Sequence, residues 1–332
     1  MAVYLWPLAF GLAPLAPVSA EDQVTVRTST GAGQAILTGE VLEWNGERLR
    51  MKASGDVREF DATKVTNVES PRLEKHIEGL KALEAGKPDE AHASLTQAIT
   101  EEPRQWMRRE ILTAIVRADL AREDRASAGK NFVALLESDP YTRHFKLIPL
   151  DWQTAPPDAD LASAARGWVR NNDSDIAKLM SSSVLLFDPA AGSQAAETLD
   201  RLARSPDRKI FTLARAQLWR KQVAARDVPA GEIERWEDRV KDIPEPLRGG
   251  AYFQIARAWS GRGDPERAAA AFLWLPLVYD SDGGLAATAA VAAGDELSNI
   301  GRTADAVQLY REVLTRFPKT TAAGRARERL ER

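Results

Sequence analysis

Cysteine is absent from this sequence, and histidine and methionine are scarce. The 332 residues contain no cysteine, three histidines and four methionines. Without thiols the chain can form no disulfide, thiolate metal site, cysteine nucleophile or lipid-modified N-terminal cysteine. The histidines, His76, His92 and His144, form no His-Glu-x-x-His pair, and we expect each to be an ordinary helix or loop residue. The fold must therefore be held together by packing.

An excess of charge of either sign is also lacking. The 45 Lys and Arg residues nearly balance the 48 Asp and Glu residues, which leaves a formal net charge of -3. Such a chain has no long-range attraction for nucleic acid or anionic lipid. The length of 332 residues and the hydrophobic content of 44% allow a sizeable core and more than one structural unit.

The first twenty residues differ in composition from the rest of the chain. An apolar run at 2–17 is followed by the small residues Val18-Ser19-Ala20. This pattern predicts a signal peptide at 1–20, a mature start at Glu21 and export to the periplasm or cell envelope. The run has no Lys or Arg before it, so a retained membrane anchor is the alternative. No later run is apolar for long enough to span a bilayer.

Residues 21–70 show apolar residues at a period of two, which predicts short strands and hairpins. The turns are expected at Gly31-Ala32-Gly33, at Asn45-Gly46 and at Ser54-Gly55-Asp56. The stretch resembles small SH3-like or Sm-like β-barrels. Because acidic residues outnumber basic ones here, the resemblance implies a structural or protein-docking module rather than a nucleic-acid-binding one.

After Pro71 the apolar period becomes helical, and a helical hairpin is predicted with its turn near Gly86. The run "HIEGLKALEAGKPDEAHASLTQAITEEP" resembles a tetratricopeptide repeat. Small Gly79 lies in its first helix, Leu95 is the packing residue of its second helix, and Pro103 closes the unit. Small residues are needed there because neighbouring helices approach closely.

The spacing between the turn glycine, the packing residues and the closing residue of this run recurs further along the chain. One more run has the same spacing of packing residues, but Glu123 stands in place of its turn glycine. A single hairpin cannot bury its own apolar face, so recurrence predicts a superhelix of stacked hairpins. Two repeats are expected at 71–140 and two at 249–319, with a capping helix at 320–332. The matched series are Gly86, Ala91, Leu95, Ala98 and Pro103; Gly263, Ala268, Phe272, Leu275 and Asp280; and Gly301, Ala306, Tyr310, Val313 and Pro318.

Residues 141–248 carry a weaker pattern. They open with the proline-rich run "LIPLDWQTAPPDAD", which is predicted to be extended, and continue with apolar stripes that predict degenerate helical hairpins. The whole layout, including Pro149, Trp152 and Pro157, resembles exported tetratricopeptide-repeat proteins of planctomycete-type bacteria. These envelope proteins are uncharacterised, so the resemblance implies an architecture and no reaction.

The sequence contains partial matches to catalytic and metal-binding motifs, and each lacks residues that the motif requires. No helix or third glycine follows Gly31-Ala32-Gly33, and Ser181-Ser182-Ser183 lacks the glycines of a nucleophile elbow. The run Asp280-Ser281-Asp282-Gly283 resembles half of a calcium loop without its later acidic ligands. We therefore predict no catalytic residue, no cofactor and no metal site, and we interpret the chain as a non-enzyme.

The repeats instead predict a binding role. We expect the concave face of the array to hold a protein or peptide of the cell envelope, with Tyr252, Gln254 and Arg257 as the partner-binding residues. Six of the nine tryptophans lie in helical stripes and are expected to pack between helices; any exposed one would serve as an anchor. The alternative is a peptidoglycan- or glycan-binding or -acting envelope protein, with paired carboxylates and tryptophan as a sugar platform.

Overall fold

The computed structural model describes residues 21–28 and 33–332. The predicted signal peptide and its cleavage site therefore lie outside the described residues, as do Gly31 and Ala32 of the first predicted turn. The chain divides into two compact units. The first holds the described residues up to Trp44 together with Arg48–Arg72, and the second holds Asn45–Glu47 together with Leu73–Arg332.

The first unit is a small antiparallel sheet, as the period of two predicts. Its strands follow the order β4-β3-β2-β1-β5, and alternate residues such as Val24, Leu49 and Met51 are buried. The turn between β3 and β4 has positive φ at Ser54 and Gly55, which agrees with the predicted tight turn. The closed SH3-like barrel remains a prediction. The strands are β1 (Asp22–Arg27), β2 (Gln34–Trp44), β3 (Arg48–Ala53), β4 (Asp56–Asp61) and β5 (Val65–Glu69).

The second unit is helical, and consecutive helices pack against each other through most of its length. The predicted apolar stripes of the middle region all lie in helices. Short 3₁₀ turns occupy 145–147, 240–242 and 245–247. The helices are α1 (Glu74–Glu84), α2 (Pro88–Glu101), α3 (Gln105–Ala121), α4 (Arg125–Ser138), α5 (Ala159–Asn171), α6 (Asp175–Leu185), α7 (Gly192–Leu202), α8 (Arg208–Ala225), α9 (Ala230–Arg239), α10 (Gly249–Gly261), α11 (Pro265–Val278), α12 (Gly283–Asn299), α13 (Thr303–Arg316) and α14 (Thr321–Leu330).

The predicted turn positions share one backbone conformation. Gly86, Gly263 and Gly301 have φ of 67°, 74° and 80°, in the left-handed region that glycine adopts without steric cost. Glu123, which replaces the turn glycine in the second hairpin, has φ of 60°. The hairpin geometry is therefore kept even where the favourable residue is missing.

Close helix approach explains the small residues of the repeats. A Cβ atom at Gly79 would overlap the side chain of Leu95, and one at Gly294 would overlap the ring of Tyr310. Leu95 and Tyr310 occupy the same position in their hairpins, so the same small-to-large contact is made twice. This confirms the packing that the spacing predicts.

Contacts also join hairpins of the helical unit that lie far apart in sequence. The carboxylate of Glu123, in the α3–α4 turn, accepts a hydrogen bond of 2.8 Å from the backbone N–H of Thr321 at the start of α14. Arg125 forms an ion pair of 3.0 Å with Asp282, which precedes α12. In a simple solenoid each repeat touches only its neighbours. The predicted superhelix therefore remains a prediction.

In the described part of the chain, no helix combines the length and the apolar composition that crossing a bilayer needs.

Ala306 offers a test of the repeat packing. It is buried in a cluster built from α12, α13 and α14 together with Ala269 of α11, so Ala306→Trp should overpack this interface and destabilise the fold by about 1–3 kcal/mol or more. Arg302→Ala, at an exposed turn position, should change stability by less than about 0.5 kcal/mol. Thermal melting of both variants checks this, and equal melting temperatures for Ala306→Trp and the unaltered chain would contradict the packing.

Candidate functional site

The central segment, residues 148–154, has neither helix nor strand, yet much of it is buried. Leu150, Asp151 and Trp152 are all buried, and Ile148 lies in the same hydrophobic cluster. Loops usually run over a protein's surface because buried backbone groups must find hydrogen-bond partners. The partners of this segment therefore show what the surrounding helices can recognise.

Backbone carbonyls of the central segment are bound by long side chains of the helices. These bonds recognise main-chain atoms, so they do not depend on the identity of the side chains in the bound segment. Such contacts are typical of surfaces that hold an extended chain. The bonds are Arg125 Nη1 to the oxygen of Leu150 at 2.7 Å, Gln254 Nε2 to the oxygen of Trp152 at 2.8 Å, and Arg220 Nε to the oxygen of Gln153 at 3.0 Å.

Trp152 anchors the segment on α10. Its indole ring lies so close to Gly250 that a Cβ atom there would overlap it. Glycine in the first turn of a helix lowers helix stability relative to alanine, and this close approach is the reason that Gly250 fits. In the sequence, Trp152 belongs only to the proline-rich layout, and no local pattern pairs it with Gly250.

Arg220 connects the segment to α6 and α8 from a fully buried position. Its side chain is 0% exposed, and its Nη2 lies 3.1 Å from the carboxylate of Asp151. Its Nη1 donates to the carbonyl of Ser183 at 2.5 Å and to Gln217 Oε1 at 2.6 Å. Burial lowers the pKa of Arg220 to about 10, although the charge of Asp151 opposes this shift. The guanidinium therefore stays charged at neutral pH, as its partners require.

Two of the three predicted partner-binding residues contact this same segment. Gln254 is fully buried, and Arg257 donates a hydrogen bond of 2.8 Å to Thr154 Oγ1. Burial, together with the charge of Arg226, lowers the pKa of Arg257. The extended segment that lies against α10 belongs to the chain itself, whereas the prediction was a segment of a partner. In this conformation Gln254 is not available to a partner.

Tyr252, the third predicted residue, belongs to an exposed cluster that we call the aromatic patch: Tyr252, Trp274, Leu277, Val278 and Tyr279. The rings of Tyr252 and Trp274 stack with centroids 5.1 Å apart, and Tyr279 stacks on Tyr252 at 5.7 Å. Trp274, Leu277 and Val278 are 43%, 67% and 49% exposed. They occupy positions i, i+3 and i+4, so they share one face of α11.

The aromatic patch differs from the other exposed apolar residues in the described part of the chain. Those residues lie singly on strands, on α1 or in a loop, as is normal for protein surfaces. Here three of them fall within five positions of one helix. The sequence signal was the run "FLWLPLV", because a helix that is apolar on every face must expose some of its apolar residues or cover them with a partner. The exposed large apolar residues that lie outside the aromatic patch are Ile36, Leu42, Val57, Ile77 and Tyr141.

The remaining tryptophans behave as the helical stripes predict. Trp219 and Trp236 stack with their ring centroids 4.8 Å apart, inside the core of the helical unit. Of the six tryptophans expected to pack between helices, Trp274 is the exposed one. The five buried ones are Trp106, Trp168, Trp219, Trp236 and Trp259.

Two histidines form pairs with carboxylates on neighbouring elements. His92 Nδ1 lies 2.7 Å from Asp119 Oδ1, and His144 Nε2 lies 3.0 Å from Glu110 Oε1. Burial raises the pKa of Asp119, although Asn131 donates a hydrogen bond to it. Among the described residues no group of three or more His, Asp or Glu side chains is placed to hold a metal ion.

Comparisons with known proteins identify no relative of this chain. No family model, no curated protein and no solved structure matches it.

Proposed function

We propose that this chain is a non-catalytic protein-protein interaction scaffold of the cell envelope, in which a small SH3-like module is followed along the sequence by tetratricopeptide-type hairpins. The aromatic patch is the observation that carries the proposal. Trp274 and Leu277 leave a large share of their apolar surface in water, where burial by a partner would be favourable.

The patch has the features of a binding hot spot. Aromatic residues contribute most to binding energy when they sit at the centre of an interface. Trp274 is held by its stack with Tyr252, so little side-chain freedom would be lost on binding. Burial raises the pKa of the Tyr252 phenol, which keeps this ring uncharged and supports an apolar contact.

The central segment explains why the proposed surface is the aromatic patch rather than the face of α10 that carries Gln254 and Arg257. Gln254 and Arg257, which were predicted to bind a partner, already contact the chain's own residues. A partner would have to displace buried Trp152 to reach them. The patch requires no displacement, because its apolar groups are exposed already.

Glycan binding is the second candidate, because exposed aromatic rings can also stack on the apolar faces of sugar rings. The half-exposed ring of Trp274 favours it. Leu277 and Val278 argue for protein instead, since aliphatic side chains offer no hydrogen bonds to sugar hydroxyls. Binding to peptidoglycan fragments that is lost in Trp274→Ala would favour the glycan function.

Site-specific photocrosslinking in the native host tests the scaffold function. A photoreactive amino acid at Leu277 should give one discrete adduct with an envelope protein, and Trp274→Ala in the same chain should remove it. The matched control is Gln308, an exposed position on α13 outside the patch. Equal adducts from both positions, or none from Leu277, would reject the proposed surface.

Export is the other part of this proposal, and it rests on the sequence pattern at 1–20. Mass spectrometry of the protein from its native host should find Glu21 as the first residue, because Val18-Ser19-Ala20 fits a signal-peptidase site. An intact Met1 would show that the segment is not removed.

A further inference from the structure

A second feature of the helical unit lies apart from the aromatic patch. A cavity of about 400 Å³ opens between α5, α6 and α7. Among the described residues that line it, four are basic and none is acidic: Arg166, Arg170, Lys178 and Arg201. Its volume falls within the range of about 300–1,000 Å³ that is typical of small-molecule sites.

Two of the four positive charges are not neutralised by the protein. Arg170 on α5 and Arg201 on α7 form no ion pair with any other described residue. Lys178, by contrast, lies 2.9 Å from a carboxylate oxygen of Asp173. Isolated surface arginines are ordinary, but these two come from different helices and line the same cavity, so their charges add at its centre.

Two serine hydroxyls also line the cavity. Ser181 and Ser182 on α6 line it and are only 4% and 5% exposed, yet neither hydroxyl has a hydrogen-bond partner among the described residues. Ser183, the next residue, donates to the carbonyl of Met180 at 2.7 Å, as helical serines commonly do. Neither Oγ is among the fully buried polar atoms that lack a partner, so water in the cavity reaches both hydroxyls, and both are available to donate to an oxygen of a bound group.

We propose that this cavity binds a small organic anion through its phosphate or carboxylate group. Arg170 and Arg201 would form charge-assisted hydrogen bonds to its oxygens, since a guanidinium matches the geometry of both groups. The hydroxyls of Ser181 and Ser182 would donate to the same oxygens. The apolar part of the ligand would rest on Leu185, which also lines the cavity. This binding is independent of the proposed scaffold function.

Isothermal titration of the full chain tests the proposal, with phenyl phosphate, benzoate and inorganic phosphate as probes at low ionic strength. At least one aromatic probe should bind, and binding should weaken as salt is added, because the arginines are near the surface. Stronger binding of phenyl phosphate assigns a phosphate ligand, and stronger binding of benzoate assigns a carboxylate. No heat from any of the three probes would overturn the proposal.

Variants show whether binding occurs in this cavity. Arg170→Gln with Arg201→Gln should weaken binding by about tenfold or more. The control, Arg204→Gln with Lys221→Gln, makes the same change in net charge at exposed positions outside the cavity and should leave binding unchanged. An equal loss of binding in both double variants would show non-specific attraction and overturn the assignment.

Replacing the hydroxyls tests the site without altering its charge. Ser181→Ala with Ser182→Ala should weaken binding by about threefold or more, because two donors to the anion are removed. Far-UV circular dichroism should match that of the unaltered chain, since neither hydroxyl bonds within the fold. Unchanged affinity in this variant would contradict the proposed role of the serines.

Discussion

Replacing Arg220 by methionine should destabilise the helical unit by about 3–5 kcal/mol. The change leaves the carboxylate of Asp151 buried without its cation and removes the donors to the carbonyls of Gln153 and Ser183. Urea denaturation followed by circular dichroism measures the loss. Lys221→Met, the same type of change at the adjacent exposed position, should have little effect.

A double variant separates the ion pair from the other contacts of Arg220. If Asp151 is replaced by asparagine as well, the buried charge disappears, and the double variant should be more stable than the sum of the two single losses predicts. Strict additivity would show that Arg220 and Asp151 do not stabilise each other, and it would contradict the network described above.

Trp152→Ala should have an effect of similar size, about 3–5 kcal/mol, because a large buried side chain is removed and a cavity is left. Trp274→Ala is the matched control, since Trp274 is 43% exposed and should contribute far less to stability. Urea midpoints of the two variants compare them directly. Similar midpoints would mean that the central segment is not anchored by its tryptophan.

Gly250 provides a second test of the same contact. Gly250→Ala alone should be destabilising, because the new Cβ would displace the indole ring of Trp152. In the Trp152→Ala background the space is vacant, and alanine is a better helix former than glycine by about 1 kcal/mol. Gly250→Ala should then be neutral or stabilising. The same loss in both backgrounds would contradict the contact.

The repeat turns show how far local pattern determines this fold. The spacing predicts that Gly86, Gly263 and Gly301 lie at hairpin turns, and in the structure all three have positive φ. The same spacing identified Glu123 as the residue in place of a turn glycine, and its φ is positive too. Patterns of this kind are readable because the residues that cause the conformation lie next to each other in sequence.

The central segment shows which features of the fold the local sequence pattern does not predict. Its extended, proline-rich character was predicted from sequence, but its burial was not. Gln254 and Trp152 are 102 positions apart, and no periodicity relates them. Gln254 and Arg257 were therefore predicted to bind a partner, whereas in the structure they bind the chain's own residues.

The two candidate binding surfaces also differ in how far the sequence predicts them. The apolar run on α11 was visible in the sequence, although nothing in it showed that Trp274 and Leu277 would face water rather than another helix. The cavity between α5 and α7 had no sequence signal, because Arg170 and Arg201 belong to different helices and become neighbours only through packing. Ser181 and Ser182 lie within a helix, and nothing in the sequence shows that they line a cavity.

The affinity of the crosslinked partner tests the central claim most directly. The claim is that a protein is bound through the aromatic patch, so Trp274→Ala with Leu277→Ala should raise the Kd for that partner by about 100-fold or more. The matched control is Tyr141→Ala with Ile77→Ala, which removes equally exposed apolar side chains outside the patch and should leave the Kd unchanged. An unchanged Kd for the patch variant would contradict the claim.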